Sequence, residues 1–278
     1  MRLKRWMRRH TLAAFGLVTY GWTWDTVFFV FDLWDVIPVT LPRVWGPAIA
    51  AIVVIWASKT PLRTWARQRL TWRVPPRYLL VAVFIPIGIT NVQPFLEAVG
   101  GGTVDYDPPA PIYGMAAFVV ANMVLFGGTE ELGWRGIAQP RLQQRLSVFT
   151  SGLIIGVGWW IWHFPLFFTG NPNYTFQVLP LLTYTLFILG ASVVLGAFVN
   201  IVEGTLLPVI LMHASVNAGA LFAVGGGFLE GSALVPLLVG SGLWWVLAGI
   251  LLGVYGRSMT PKTNTRSVAP PTDEHLAN

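Results

Sequence analysis

The hydrophobic positions of the chain gather into eight long runs separated by short polar stretches. They lie at about 11–32, 44–58, 78–98, 111–128, 147–168, 176–201, 205–223 and 233–255. Crossing a bilayer core as helix takes roughly 20 apolar residues. The pattern therefore predicts an all-α, polytopic membrane protein with about eight transmembrane helices. The second run is short for a span, and the fourth is expected to continue as helix to about residue 145. Residues 1–256 read as a single polytopic transmembrane domain. The polar stretch 257–278, with Pro270, Pro271 and mixed charges, reads as a disordered cytoplasmic tail.

Composition agrees. Hydrophobic residues make up 54% of the 278 and charged residues only 11%, against roughly 25% in soluble chains. Lipid is the solvent for most of the surface. The absence of cysteine excludes disulfides, thiolate nucleophiles and cysteine metal sites. The net charge of +6 reads as membrane topology, with no nucleic-acid partner, because the cations sit in short loops. With eight spans and a cytoplasmic N-terminus, all of the 18 Lys and Arg residues except Arg43 fall on one side. The positive-inside rule then places the protein in the cell membrane, multi-pass, with both termini cytoplasmic. The first run contains Asp25, is too long for a signal peptide and lacks a small-residue cleavage site, so it reads as a retained helix.

Ionisable groups inside apolar helices are costly and point to function. Asp32, Asp35 and Glu97 lie near helix ends, where solvation explains them, and Asp25 has no assignment. A sharper cluster opens at Glu130-Glu131-Leu132-Gly133-Trp134-Arg135. Adjacent carboxylates in an apolar helix repel each other and resist desolvation, so a nearby cation is expected. Arg135, four residues after Glu131, shares its helical face. Glu130 points about 100° away, free to act on water. His163 follows four residues after Trp159 among aromatics. If helices four and five form a hairpin turning near Leu146–Ser147, Glu130 and His163 both lie about 24 Å from the turn. In the seventh run, His213 and Asn217 are four apart and share a face. Such a pair could hold an oxyanion or polarise a carbonyl. Ser215 points to another face, which weakens a serine mechanism.

Glu-Glu-x-x-x-Arg, aromatic-x-x-x-His and His-x-x-x-Asn, each in its own hydrophobic helix, resemble the CPBP family. That family includes the type II CAAX prenyl endopeptidases and bacterial bacteriocin-processing and immunity proteins. The resemblance covers about residues 111–255, the catalytic core. Trp159 departs from it, since phenylalanine is usual there, a change conservative in packing. The resemblance implies an intramembrane endopeptidase acting on a membrane-associated peptide or protein. It implies that Glu130 activates water, that Glu131 and His163 assist and position, and that His213 and Asn217 stabilise the oxyanion. Arg135 and Trp159 serve as structural support. No cofactor is favoured; the alternative is zinc on Glu130, His163 and His213, three protein ligands being usual for catalytic zinc. The competing readings are a non-catalytic membrane immunity or binding protein and a proton- or cation-coupled transporter. Nothing in the sequence requires the substrate to be prenylated.

Overall fold

Once an apolar run lies in lipid, each peptide N–H and C=O must be satisfied within its own segment, and helix is the economical solution. The structure, a computed structural model, describes residues 2–29, 43–100, 111–168, 174–221 and 234–259. Among these every regular element is helical: α1 (Arg2–Arg9), α2 (Thr11–Phe29), α3 (Gly46–Ala57), α4 (Leu62–Arg69), α5 (Pro76–Val99), α6 (Ile112–Leu125), α7 (Val148–His163), α8 (Val178–Ile201), α9 (Leu207–Leu221) and α10 (Leu234–Tyr255). Each of the eight apolar runs has its helix. Four stretches are long and apolar enough to cross a membrane: Tyr113–Leu142, Val148–Phe168, Val178–Ile201 and Leu238–Ser258. Gly46–Ala57, Pro76–Val92 and Leu207–Gly219 are shorter apolar helices. Asp32, Asp35, the expected loops at 101–110 and 169–173, and the tail from 260 lie outside the described residues. Asp25 is exposed on α2. Met259, two residues past the expected start of the tail, is fully buried.

α7 packs along α8, and α8 along α10. α9 packs against α5 and α6, and α2 against α3. These groups meet around the segment that follows α6. There the chain is not the smooth helix the pattern suggests. Phe126, at φ −123° and ψ −139°, ends α6. The indole Nε1 of Trp45 donates to the freed Leu125 carbonyl at 2.9 Å. A 3-10 turn covers Gly127–Glu130, one α turn covers Glu131–Gly133, and a π turn covers Trp134–Ala138 before helix resumes to Leu142. π turns of this kind are frequent at functional sites. The turn near Leu146–Ser147 stands where expected. Ser147 caps α7, its Oγ accepting from the Thr150 N–H at 3.1 Å.

Polar rungs bind the Arg135–Gln143 stretch to α8 at four-residue intervals. Arg135 Nη2 donates to Ser192 Oγ at 3.0 Å, Gln139 Nε2 to the Gly196 carbonyl at 2.7 Å, and Asn200 Nδ2 to Gln143 Oε1 at 3.2 Å. Ser192 Oγ in turn donates to the Gly152 carbonyl of α7 at 2.8 Å. Apolar surface gives helices no reason to prefer one partner over lipid tails, so such bonds and close backbone contacts fix the register. Gly133 supplies one such contact: a Cβ there would run into the backbone carbonyl of Pro47 at the start of α3.

The basic loop at 59–77 is not simply a solvated connection. It folds into α4, and Arg69 is buried, donating from Nη1 to the Gly204 carbonyl at 3.2 Å. The Leu206 N–H bonds the Arg69 carbonyl at 2.6 Å. The loop thereby ties down the entry of α9, and with it His213.

Candidate active site

Glu131 is the hub of the first half of the site. Its Oε1 receives Arg135 Nη1 at 3.1 Å and His213 Nδ1 at 2.7 Å, and neither carboxylate nor guanidinium is exposed. The pairing with Arg135 is the one the i, i+4 spacing predicts. The link to His213 joins this segment to α9. Because a carboxylate oxygen accepts, His213 Nδ1 carries the hydrogen, which leaves Nε2 facing Gly127. A Cβ on Gly127 would come within 2.8 Å of that Nε2 and also strike Asn217 Nδ2. The glycine leaves the two side chains a shared clear space. Asn217 Nδ2 donates one hydrogen to Asn122 Oδ1 at 3.0 Å and keeps the other.

Trp159 organises the second half. Its indole Nε1 donates to Glu130 Oε2 at 2.7 Å. Its ring stands edge-on to His213 at 5.1 Å between centroids and lies 5.8 Å from His163. The Arg135 guanidinium carbon sits 5.4 Å from the same ring centre. Trp159 therefore touches the side chains of all three motifs, which packing conservatism alone does not anticipate. His163 Nδ1 lies 2.9 Å from the Trp159 carbonyl. A carbonyl only accepts, so Nδ1 carries the hydrogen and Nε2 keeps its lone pair, with no hydrogen bond among the described residues. Tyr174 stacks on the His163 ring at 5.8 Å and 16°.

All five expected site residues, Glu130, Glu131, His163, His213 and Asn217, thus belong to one buried neighbourhood joined through Trp159 and Glu131. The hairpin arithmetic holds to about one turn: Trp159, one turn before His163, is the residue that reaches Glu130. Two participants escape the motif reading. Asn122 is an uncharged polar residue in an apolar helix, a signal that was available. Arg43, expected in an external loop, is partly buried against Trp162, with Cζ 5.9 Å from its ring. Ser215 is fully buried, and its Oγ has no partner among the described residues.

The arrangement offers a carboxylate with one oxygen bonded and the other without a hydrogen bond among the described residues, an imidazole lone pair, and on α9 the spare Asn217 N–H beside the His213 ring. That set can take a proton from water and receive developing negative charge. Zinc fits less well. Among the described residues no three His, Cys, Asp or Glu side chains gather closely enough to hold a metal ion.

Residues 112–219 match the family model described as Rce1-like, type II CAAX prenyl endopeptidase Rce1-like. This segment holds every residue of the three motifs. A similar protein is the CAAX prenyl protease 2 of Methanococcus maripaludis, 31% identical over 150 residues. The alignment takes in 50% of this chain and 54% of that protein, so the chain spans about half the length of the relative it matches. The Rce1-like segment coincides with α6 to α9 and the irregular stretch between them, the part of the fold that carries the polar network.

Proposed function

We propose that this protein is an intramembrane endopeptidase that hydrolyses a peptide bond of a membrane-associated peptide or protein. Glu130 acts as the base on water, and a prenylated C-terminal peptide is the first substrate to try, given the relative's name. One observation carries the reading: Glu130 is 3% exposed, and among the described residues the Trp159 N–H is the one hydrogen bond its carboxylate receives. Burying a carboxylate with so few donors costs stability, and proteins retain such groups where chemistry needs them.

In the proposed sequence water binds between the free oxygen of Glu130 and Nε2 of His163. Glu130 takes its proton as the oxygen attacks the scissile carbonyl. The carbonyl oxygen, becoming an oxyanion, faces the spare Asn217 Nδ2–H, with the His213 ring beside it. The proton held by Glu130 then passes to the leaving amine, so atoms and charge balance with one water consumed. Glu131 and Arg135 hold His213, and Asn122 holds Asn217. No step requires a metal ion.

Trp159→Phe separates this account from simple packing. Phenylalanine keeps the ring and loses the N–H that holds Glu130. A hydrogen bond to a charged group contributes about 1.5 to 3 kcal/mol. The variant is therefore expected to lose about ten- to a hundredfold in kcat with little change in KM. Steady-state hydrolysis of a prenylated peptide by purified protein reads this. A fall confined to KM would assign Trp159 to substrate binding instead.

A further inference from the structure

α4 has two unlike faces, and the inward one is tied to both halves of the site. Arg69 is buried; its Nη1 donates to the Gly204 carbonyl at 3.2 Å, and its own carbonyl accepts the Leu206 N–H at 2.6 Å. Thr205 Oγ1, between them, accepts from the Thr71 N–H at 3.3 Å. These bonds fix the entry of α9, the helix of His213 and Asn217. Trp65, one turn before Arg69, is also buried and covers Gly136. A Cβ on that glycine would come within 2.8 Å of the Trp65 ring and 3.1 Å of Leu206 Cδ1. Gly136 follows Arg135 in the π turn. Two buried side chains of one short helix thus brace the stretch that holds Glu131 and Arg135 against the helix that holds His213.

The outward face is cationic. Arg63, Arg67 and, just past the helix, Arg73 are exposed, and among the described residues none of them is in an ion pair. No Asp or Glu occurs from residue 36 to residue 96. The acidic residue that adjoins the contact is Glu203, exposed beside Gly204, one anion against three cations. α1 adds exposed Arg5 and Arg9 at the same end of the bundle, since Arg8 Nη1 donates to the Ala57 carbonyl at 3.1 Å where α3 ends. The segment joins two apolar helices, α3 and α5, and so lies at the bilayer surface. Trp72 beside these cations is 68% exposed, as suits a ring at headgroup level. Cations clustered next to a membrane-embedded helix, with an interfacial ring among them, match the phosphates of anionic lipids better than a water-soluble acidic partner. An eight-residue helix without a side-chain cap is marginal alone, so anything that binds its seated form stabilises that seating.

We propose that the outward face of α4 binds anionic phospholipid headgroups, and that this contact steadies the two site-bearing elements to which the helix is tied.

Native mass spectrometry of the protein released from detergent with equimolar phosphatidylglycerol and phosphatidylcholine tests the binding. Retained phosphatidylglycerol is expected to exceed phosphatidylcholine by at least about fivefold, the contribution of one cation at an anionic surface. Arg63→Gln, Arg67→Gln and Arg73→Gln together should bring the ratio near one, and because all three side chains are exposed the melting temperature should not move. Equal retention by the wild type, or a ratio that survives the triple substitution, would overturn the proposal. So would loss of the ratio when potassium phosphate replaces chloride at matched ionic strength, since a free anion would then hold the site. Hydrogen exchange tests the coupling. In nanodiscs of an equal mixture of the two lipids, the Leu206 amide and the first turn of α9 should exchange severalfold more slowly than in phosphatidylcholine alone, with no such difference in the triple variant. Identical exchange in the two lipids would also overturn the proposal. It rests on the peptidase reading for its consequence alone, a kcat that rises with phosphatidylglycerol in the wild type and not in the triple variant. Failure of that reading shows itself differently, as no cleavage in either lipid while the lipid ratio and the exchange difference persist.

Discussion

Glu130→Gln is expected to lower kcat for peptide hydrolysis by about two to four orders of magnitude, the range for loss of a positioned general base, while the melting temperature stays close to that of the wild type. The two side chains have nearly the same shape. The glutamine oxygen can still accept the Trp159 N–H that lies 2.7 Å from Glu130 Oε2. What the amide cannot do is take a proton from water. Replacing a buried carboxylate by a neutral group also removes a desolvation cost, so folding should not suffer. Kinetics and a thermal melt on the same detergent preparation check both halves. Full activity in this variant would mean that the carboxylate is not the base.

Glu131→Ala is expected to show the opposite balance, with stability failing first. Glu131 is 0% exposed and Arg135 1%, and both Arg135 and His213 lean on the same oxygen of Glu131. Removing one partner of a buried pair costs about 3 to 5 kcal/mol, because the other charge is left uncompensated. A fall in melting temperature on the order of 10 °C follows. Activity is lost as well, since His213 loses its anchor. Glu131→Leu combined with Arg135→Met should recover part of the stability and none of the activity. A melt unchanged by Glu131→Ala would show that the pair contributes little to folding.

These two carboxylates are neighbours in sequence with different environments, and the sequence shows that difference only partly. Arg135 four residues on marks Glu131 as the paired one. The hydrophobic runs likewise give the helices, and the turn before Val148 follows from where apolar character resumes. The three motifs supply the site side chains because polar groups in lipid-facing runs are too costly to be incidental. What could not be read is set by rotation and register between helices. Arg135, Gln139 and Gln143 meet α8 in a ladder that depends on how a π turn re-aims one face. The Trp159 N–H is indistinguishable from packing until α7 is docked. Asn122 gave a signal, a lone amide in an apolar helix, but its partner lies on another helix. Arg43 looked like a loop cation because topology rules count charges by segment and not by where the chain folds back.

The central claim is that a water beside Glu130 cleaves a peptide bond within the bundle. Mass spectrometry of a farnesylated peptide incubated with purified protein in nanodiscs, after exhaustive chelation of metals, tests it most directly. Two fragments whose summed mass exceeds the parent by one water, formed by the wild type and not by Glu130→Gln, is the predicted result. An intact peptide with the chelated wild type that is cleaved once zinc is restored, or fragments formed equally by both proteins, would contradict it.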